Sequence, residues 1–169
     1  IDKTVSVAST APGALTQNNF YGLRVEDREI SLNVPDVVSI VGVFESLNTA
    51  APSFDKLTFI SGLNLDTASV LGEKIIGSKS RAIAQLTERS SATEVEIVYL
   101  TESKFIPGES VTFEESNITS SIQAITLGIH LDISDRFTLD KGHKEQYLDY
   151  SKIVRSAGSP KPTRKVTVV

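Results

Sequence analysis

Gly72-Glu73-Lys74-Ile75-Ile76 recurs as Gly108-Glu109-Ser110-Val111-Thr112, an offset of 36 residues. Both copies follow an apolar residue and run on into Ser-rich sequence around Ser80 and Ser116. Glycine supplies the positive φ of a tight turn, and the β-branched residues behind it suit a pleated, half-buried strand. The repeat is therefore the grammar of a scaffold. It predicts that Gly72 and Gly108 are structural turns in equivalent places of one small barrel.

Working outward, the region 70–127 holds five strand candidates, at 73–76, 81–87, 94–101, 110–113 and 120–127, separated by short polar turns. Five antiparallel strands so connected suit a small SH3-like barrel, in which closure protects strand edges that would otherwise template aggregation. Ala82, Ile83 and Leu86 also fit helical spacing. No apolar position continues that stripe, and the next segment alternates as Val95, Ile97, Tyr99, so a strand is the better reading.

On either side lie further strand candidates. The strongest apolar run, 36–45, is β-branched almost throughout and predicts a buried strand behind Pro35, and 57–60 predicts another. After Leu127 come His130-Leu131-Asp132-Ile133, Arg136-Phe137-Thr138-Leu139, Ile153-Val154 and 166–169. The expectation is an all-β protein with three parts: an N-terminal arm or loop over 1–20, a β-sheet frame from 21–69 and 128–169, and the barrel module of 70–127 inserted in or attached to that frame.

A chain of 169 residues can bury a real core. With no Cys it has no disulfide, thiolate metal site or cysteine nucleophile. It has no apolar stretch of the roughly 18 residues needed to cross a bilayer, and its first residues lack the layout of a signal peptide, so it reads as soluble and non-membrane. It also has no Met, so Ile1 is not a translation start and the chain reads as a fragment of a longer polypeptide. Residues 141–169 carry a net charge of +5 and residues 1–140 a net −9. The basic end has only Tyr147 and Tyr150 as interleaved aromatics and no nucleic-acid motif, which favours a solvated tail or a surface for an acidic neighbour over nucleic acid.

The chemistry inventory is nearly empty. Asp132, Asp135, Asp140 and Asp149 gather in the last third, but without the calcium-loop spacing, and Arg136, Lys141, Lys144 and Lys152 between them offer ion-pair partners. His130 reads as packed or edge-facing and His143, beside Gly142, as a turn residue; no Gly-x-Ser-x-Gly elbow accompanies either. Asn117-Ile118-Thr119 matches the N-glycosylation pattern by a three-residue coincidence. No phosphate loop, dinucleotide fingerprint or zinc spacing occurs, so no cofactor, metal or catalytic residue is expected. Tyr147 and Tyr150, which combine apolar area with a polar tip, suit subunit contacts or packing over a sheet edge.

The run 135–150 resembles a motif of virion structural proteins of tailed bacteriophages, of the tail-fibre and baseplate type in T4-like phages of marine cyanobacteria. There the segment runs Phe-x-Leu-Asp-x-Gly, then a polar stretch, then Tyr-x-Asp-Tyr. Phe137, Leu139, Asp140, Gly142, Tyr147, Asp149 and Tyr150 fit it, while the usual Asn before the glycine is Lys141 here. Val43-Phe44-Glu45-Ser46 followed by Pro52, and the Gly-Glu module with Phe105 before its second turn, are similar to the same proteins. The resemblance implies a non-enzymatic component of a virion tail. Its partners would be other tail proteins and further copies of itself. The interface candidates are Asp135, Arg136, Asp140, Tyr147, Asp149, Tyr150 and Arg155, with Gly142 as a third structural turn. The alternative is a receptor-binding fibre module that recognises a glycan, for which an exposed aromatic platform would be the sign.

Overall fold

Short β-branched and aromatic runs broken by Gly, Pro, Ser and Asn pair as antiparallel strands throughout the chain, as their alternation requires. The computed structural model describes residues 3–5, 24–60, 62–144 and 147–169. In chain order the strands are β1 (Lys3–Val5), β2 (Glu29–Ser31), β3 (Val43–Ser46), β4 (Asp55–Phe59), β5 (Lys74–Gly77), β6 (Ile83–Arg89), β7 (Glu94–Tyr99) and β8 (Ser110–Phe113). There follow β9 (Thr119–Thr126), β10 (His130–Asp132), β11 (Phe137–Asp140), β12 (His143–Lys144), β13 (Tyr147–Leu148), β14 (Lys152–Arg155) and β15 (Val166–Val168). A single helical turn, α1 (Leu65–Ala68), and a 3-10 turn at Ser134–Arg136 are the helical elements among the described residues. The all-β reading holds, and the segment 81–87 is largely strand β6 rather than helix.

One compact unit, Ser53–Gly128, is a closed antiparallel barrel with strand order β4-β7-β6-β5-β8-β9. It has six strands where five were expected. The sixth is β4, the 57–60 candidate assigned to the frame, so the module starts at Ser53 rather than at 70. The reason lies in β4's alternation: Asp55, Leu57 and Phe59 are buried while Lys56 and Thr58 are half-buried, and the strand pairs with both β7 and β9. Without it those two strands would be unprotected edges. Leu57, Phe59, Ile75, Leu86, Ile97 and Phe113 are among the side chains that fill the interior, with Phe59 and Phe113 tilted at 5.7 Å between ring centres.

The 36-residue offset is a pseudo-two-fold axis of this barrel. It exchanges β4-β5-β6 with β7-β8-β9, at an offset of 36 residues for β5/β8 and β6/β9 and of 38 for β4/β7. Across the axis β5 pairs with β8 in the register Ile75↔Phe113, Ile76↔Thr112 and Gly77↔Val111, which maps onto itself when the halves are exchanged. Bonds outside the ladders repeat as well: Gly72 N–H donates to the Leu86 carbonyl at 2.9 Å and Gly108 N–H to that of Ile122 at 2.8 Å. Even the irregularities match, because the register shifts past Thr87 on β6 and past Gln123 on β9. Such bulges bend a strand and help a small sheet to close.

The other unit comprises Ile1–Pro52 and Ile129–Val169. It contains a four-stranded sheet in the order β1-β15-β3-β10, a three-stranded sheet β11-β14-β2 and the hairpin β12-β13. Val25, Ile30, Val43, Ile133, Ile153 and Val166 are at the centre of its core. Two expectations change here. Within the expected arm of 1–20, Lys3–Val5 is a strand paired with the C-terminal β15, and the remaining arm residues lie outside the described ones. The expected strand 36–45 is strand only from Val43 onward. Asp36 has φ 55°, which breaks extended backbone at the start, and Val38 is 78% exposed. The segment before β3 still covers the core, with Val37 and Ile40 packed on it, but its N–H groups bond outside a ladder: Val37 to the Ser151 hydroxyl, and Val41 and Gly42 to the Val169 carbonyl.

Candidate functional site

The segment singled out by its Tyr and charged residues is organised around Ser151, which is fully buried. Its hydroxyl accepts from Val37 N–H and donates to the Lys141 carbonyl, while its own N–H bonds to the Val34 carbonyl and its carbonyl accepts from Leu32. These four bonds tie the two ends of the β12-β13 hairpin to each other and to the segment 32–37 that follows β2. Gly142 makes the hairpin possible. Its φ is 76°, and a Cβ there would lie 2.3 Å from the Asp149 carbonyl oxygen, which only a glycine permits. Asp149 N–H donates to the Gly142 carbonyl at 3.0 Å, closing the pair.

Around this base the carboxylates serve the turns. Asp140 accepts from Gly142 N–H at 3.0 Å and lies 3.8 Å from the Lys152 ammonium, and Asp149 accepts from the Tyr150 N–H at 2.8 Å. Lys152 is held chiefly by a hydrogen bond to Glu29, which raises its pKa above the ordinary lysine value against the opposing effect of burial. His143 meets Asp36 at 2.6 Å, with both side chains exposed, and so ties the hairpin to the segment that precedes β3. His130 packs edge-on against Phe44 at 5.3 Å. Among the described residues no group of three His, Asp or Glu side chains is placed to hold a metal ion.

The structure brings only part of the expected set together. Tyr150 is 57% exposed at the base of the hairpin, and Asp149 beside it is exposed too. Tyr147 lies on β13, whose side chains are outside the described residues. Asp135 and Arg136 belong to the 3-10 turn that leads into β11, with Asp135 exposed. Arg155 is different. It is 8% exposed, at the end of β14, and its guanidinium donates to the Glu26 and Asp27 carbonyls.

Two structural glutamates were missed as side chains although their positions opened the sequence reading. Glu73 and Glu109 are each only 1% exposed. The Glu109 carboxylate accepts from the N–H groups of Ile106 at 2.7 Å, Lys79 at 3.1 Å and Ser80 at 3.0 Å, and from the Ser80 hydroxyl at 2.8 Å. Glu73 repeats the set with Val70 at 2.7 Å, Glu115 at 3.1 Å and Ser116 at 2.9 Å, plus the Ser116 hydroxyl. Each carboxylate thus secures its own turn and the opposite half of the barrel. The Ser-rich stretches after both Gly-Glu pairs were the available signal. Glu45 does a similar job in the other unit, accepting from Thr163 and Arg164 N–H groups.

Compared with known proteins, the chain matches no protein-family model, no curated protein and no solved structure.

Proposed function

We propose that this chain is a structural component of a bacteriophage tail, of the fibre or baseplate kind, that works by assembly with copies of itself and neighbouring tail proteins. The observation that carries the reading is the hairpin. Several of the residues that resemble the phage motif lie at the base of the hairpin: Gly142 allows its close approach to Asp149, Asp140 and Asp149 accept from the backbone N–H groups of Gly142 and Tyr150, and Tyr150 stands exposed there. An exposed aromatic ring with a polar tip, held beside a hydrogen-bonded hairpin base, specifies a neighbour by shape and hydrogen bonding. The barrel suits the same role as a braced scaffold, since the buried Glu73 and Glu109 carboxylates tie its two halves together. Among the described residues no helix is long and apolar enough to cross a membrane.

Labelling purified virions with antibody raised against this chain tests the assignment. Label confined to the tail is the expected result. Label absent from the virion, or turnover of a glycan or peptide by the purified chain, would overturn it.

A further inference from the structure

A cleft of about 340 Å³ on the β2-β14 side of the three-stranded sheet is lined by Glu26, Asp27, Arg28, Glu29, Arg155 and Lys161. At its wall lies the buried Arg155. A guanidinium has five N–H donors. Among the described residues only Nη1 is engaged, by long contacts of 3.3 Å to the Glu26 carbonyl and 3.5 Å to that of Asp27, and no carboxylate pairs with the guanidinium. A buried cation with no carboxylate in direct contact is costly, and an anion that completes the fork offsets that cost.

The remaining charges define which anion. Glu29 is taken by Lys152, and the Asp27 carboxylate is occupied by the Arg24 N–H at 3.1 Å. Arg28 and Lys161 are exposed and make no ion pair with the described residues. Arg28, Arg155 and Lys161 thus line the cleft as three cations, beside the carboxylates of Glu26 and Asp27. Carboxylates in the lining disfavour a doubly charged anion such as a phosphate dianion more than a singly charged one. A planar carboxylate also matches the guanidinium fork with two parallel hydrogen bonds.

We infer that this cleft is a docking site for the carboxylate of an acidic side chain presented by a neighbouring polypeptide, with Arg155 receiving the carboxylate and Arg28 and Lys161 steering it from the rim. The polypeptide source rests on the assembly reading; the carboxylate chemistry stands without it. An acidic segment fits better than a small free acid because the two exposed rim cations extend the attraction beyond one carboxylate to its neighbours.

The test follows the Arg155 Nε–Hε signal of the whole chain by NMR during separate titrations with a capped Gly-Glu-Glu-Gly peptide, with acetate and with inorganic phosphate. The peptide is expected to shift the signal saturably and to bind more tightly than either small anion. Arg28→Ala and Lys161→Ala, both at exposed positions, are each expected to weaken the peptide by about two- to fivefold, as for exposed ion pairs. No saturable shift with peptide or acetate, or tighter binding of phosphate, would overturn the carboxylate site. Acetate binding as tightly as the peptide, with no effect of the rim substitutions, would overturn the polypeptide source. Tail labelling that fails while the peptide still binds would contradict the tail role alone.

Discussion

At the scale of single residues, Glu73 and Glu109 tie together the two halves of the barrel. Burial would raise the pKa of Glu109, yet the Ser80 and Ile106 N–H groups, the Ser80 hydroxyl and the Lys79 N–H bond to its charged form and hold it below the ordinary 4.5. A carboxylate with a depressed folded pKa contributes stability that is complete above its unfolded value and is lost as pH falls through the folded one. Unfolding midpoints measured against pH should therefore fall below about pH 4.5, and Glu109→Gln should remove part of that acid sensitivity. The same substitution should cost about 1–3 kcal/mol at neutral pH, because an amide cannot accept from all four donors. Denaturant melts check both. The sequence displayed the Glu pair and the serines, but nothing in it says that a carboxylate reaches a loop 29 or 43 residues away, since that contact exists only after the barrel has closed.

At the scale of elements, the turn glycines differ in what they require. Gly72 and Gly108 occupy matching turns with φ of 89° and 85°, and an added Cβ at Gly108 meets nothing. Their cost on substitution is thus backbone strain alone, about 1–2 kcal/mol for Ala in the left-handed region. The two variants should lose similar stability in denaturant melts. Gly142→Ala adds a collision with the Asp149 carbonyl to the same strain. It should open the hairpin locally, seen as faster hydrogen exchange at 142–149 with the rest of the frame unchanged. The strands with clean alternation, such as β7, and those behind a Gly-Glu turn were legible in the sequence because local pattern and tertiary pairing agree there. The run before Val43 was not. Its β-branched residues are apolar for covering a core, but Asp36 at positive φ and the bonds to Ser151 and Val169 direct the backbone away from a ladder.

At the scale of the whole molecule, a duplicated barrel and a sheet unit built from both ends of the chain give rigid surfaces, and the proposed role uses them by contact. All-β character was legible, as was the internal repeat; the sixth strand was not, because β4 reads like any other short apolar run until its two partners are known. Of the interface candidates, Tyr150 and Asp149 were placed on the surface, while Arg155 was drawn inward to face a separate cleft, a distinction of burial that sequence does not carry. The most direct measurement of the central claim is light scattering of the chain over a range of concentrations, alone and with the remaining tail proteins. The account predicts a mass above the 18.3 kDa of one chain, falling toward that value in a folded variant carrying Tyr147→Ala and Tyr150→Ala. A mass of one chain under every condition, or association unchanged in that folded variant, would contradict it.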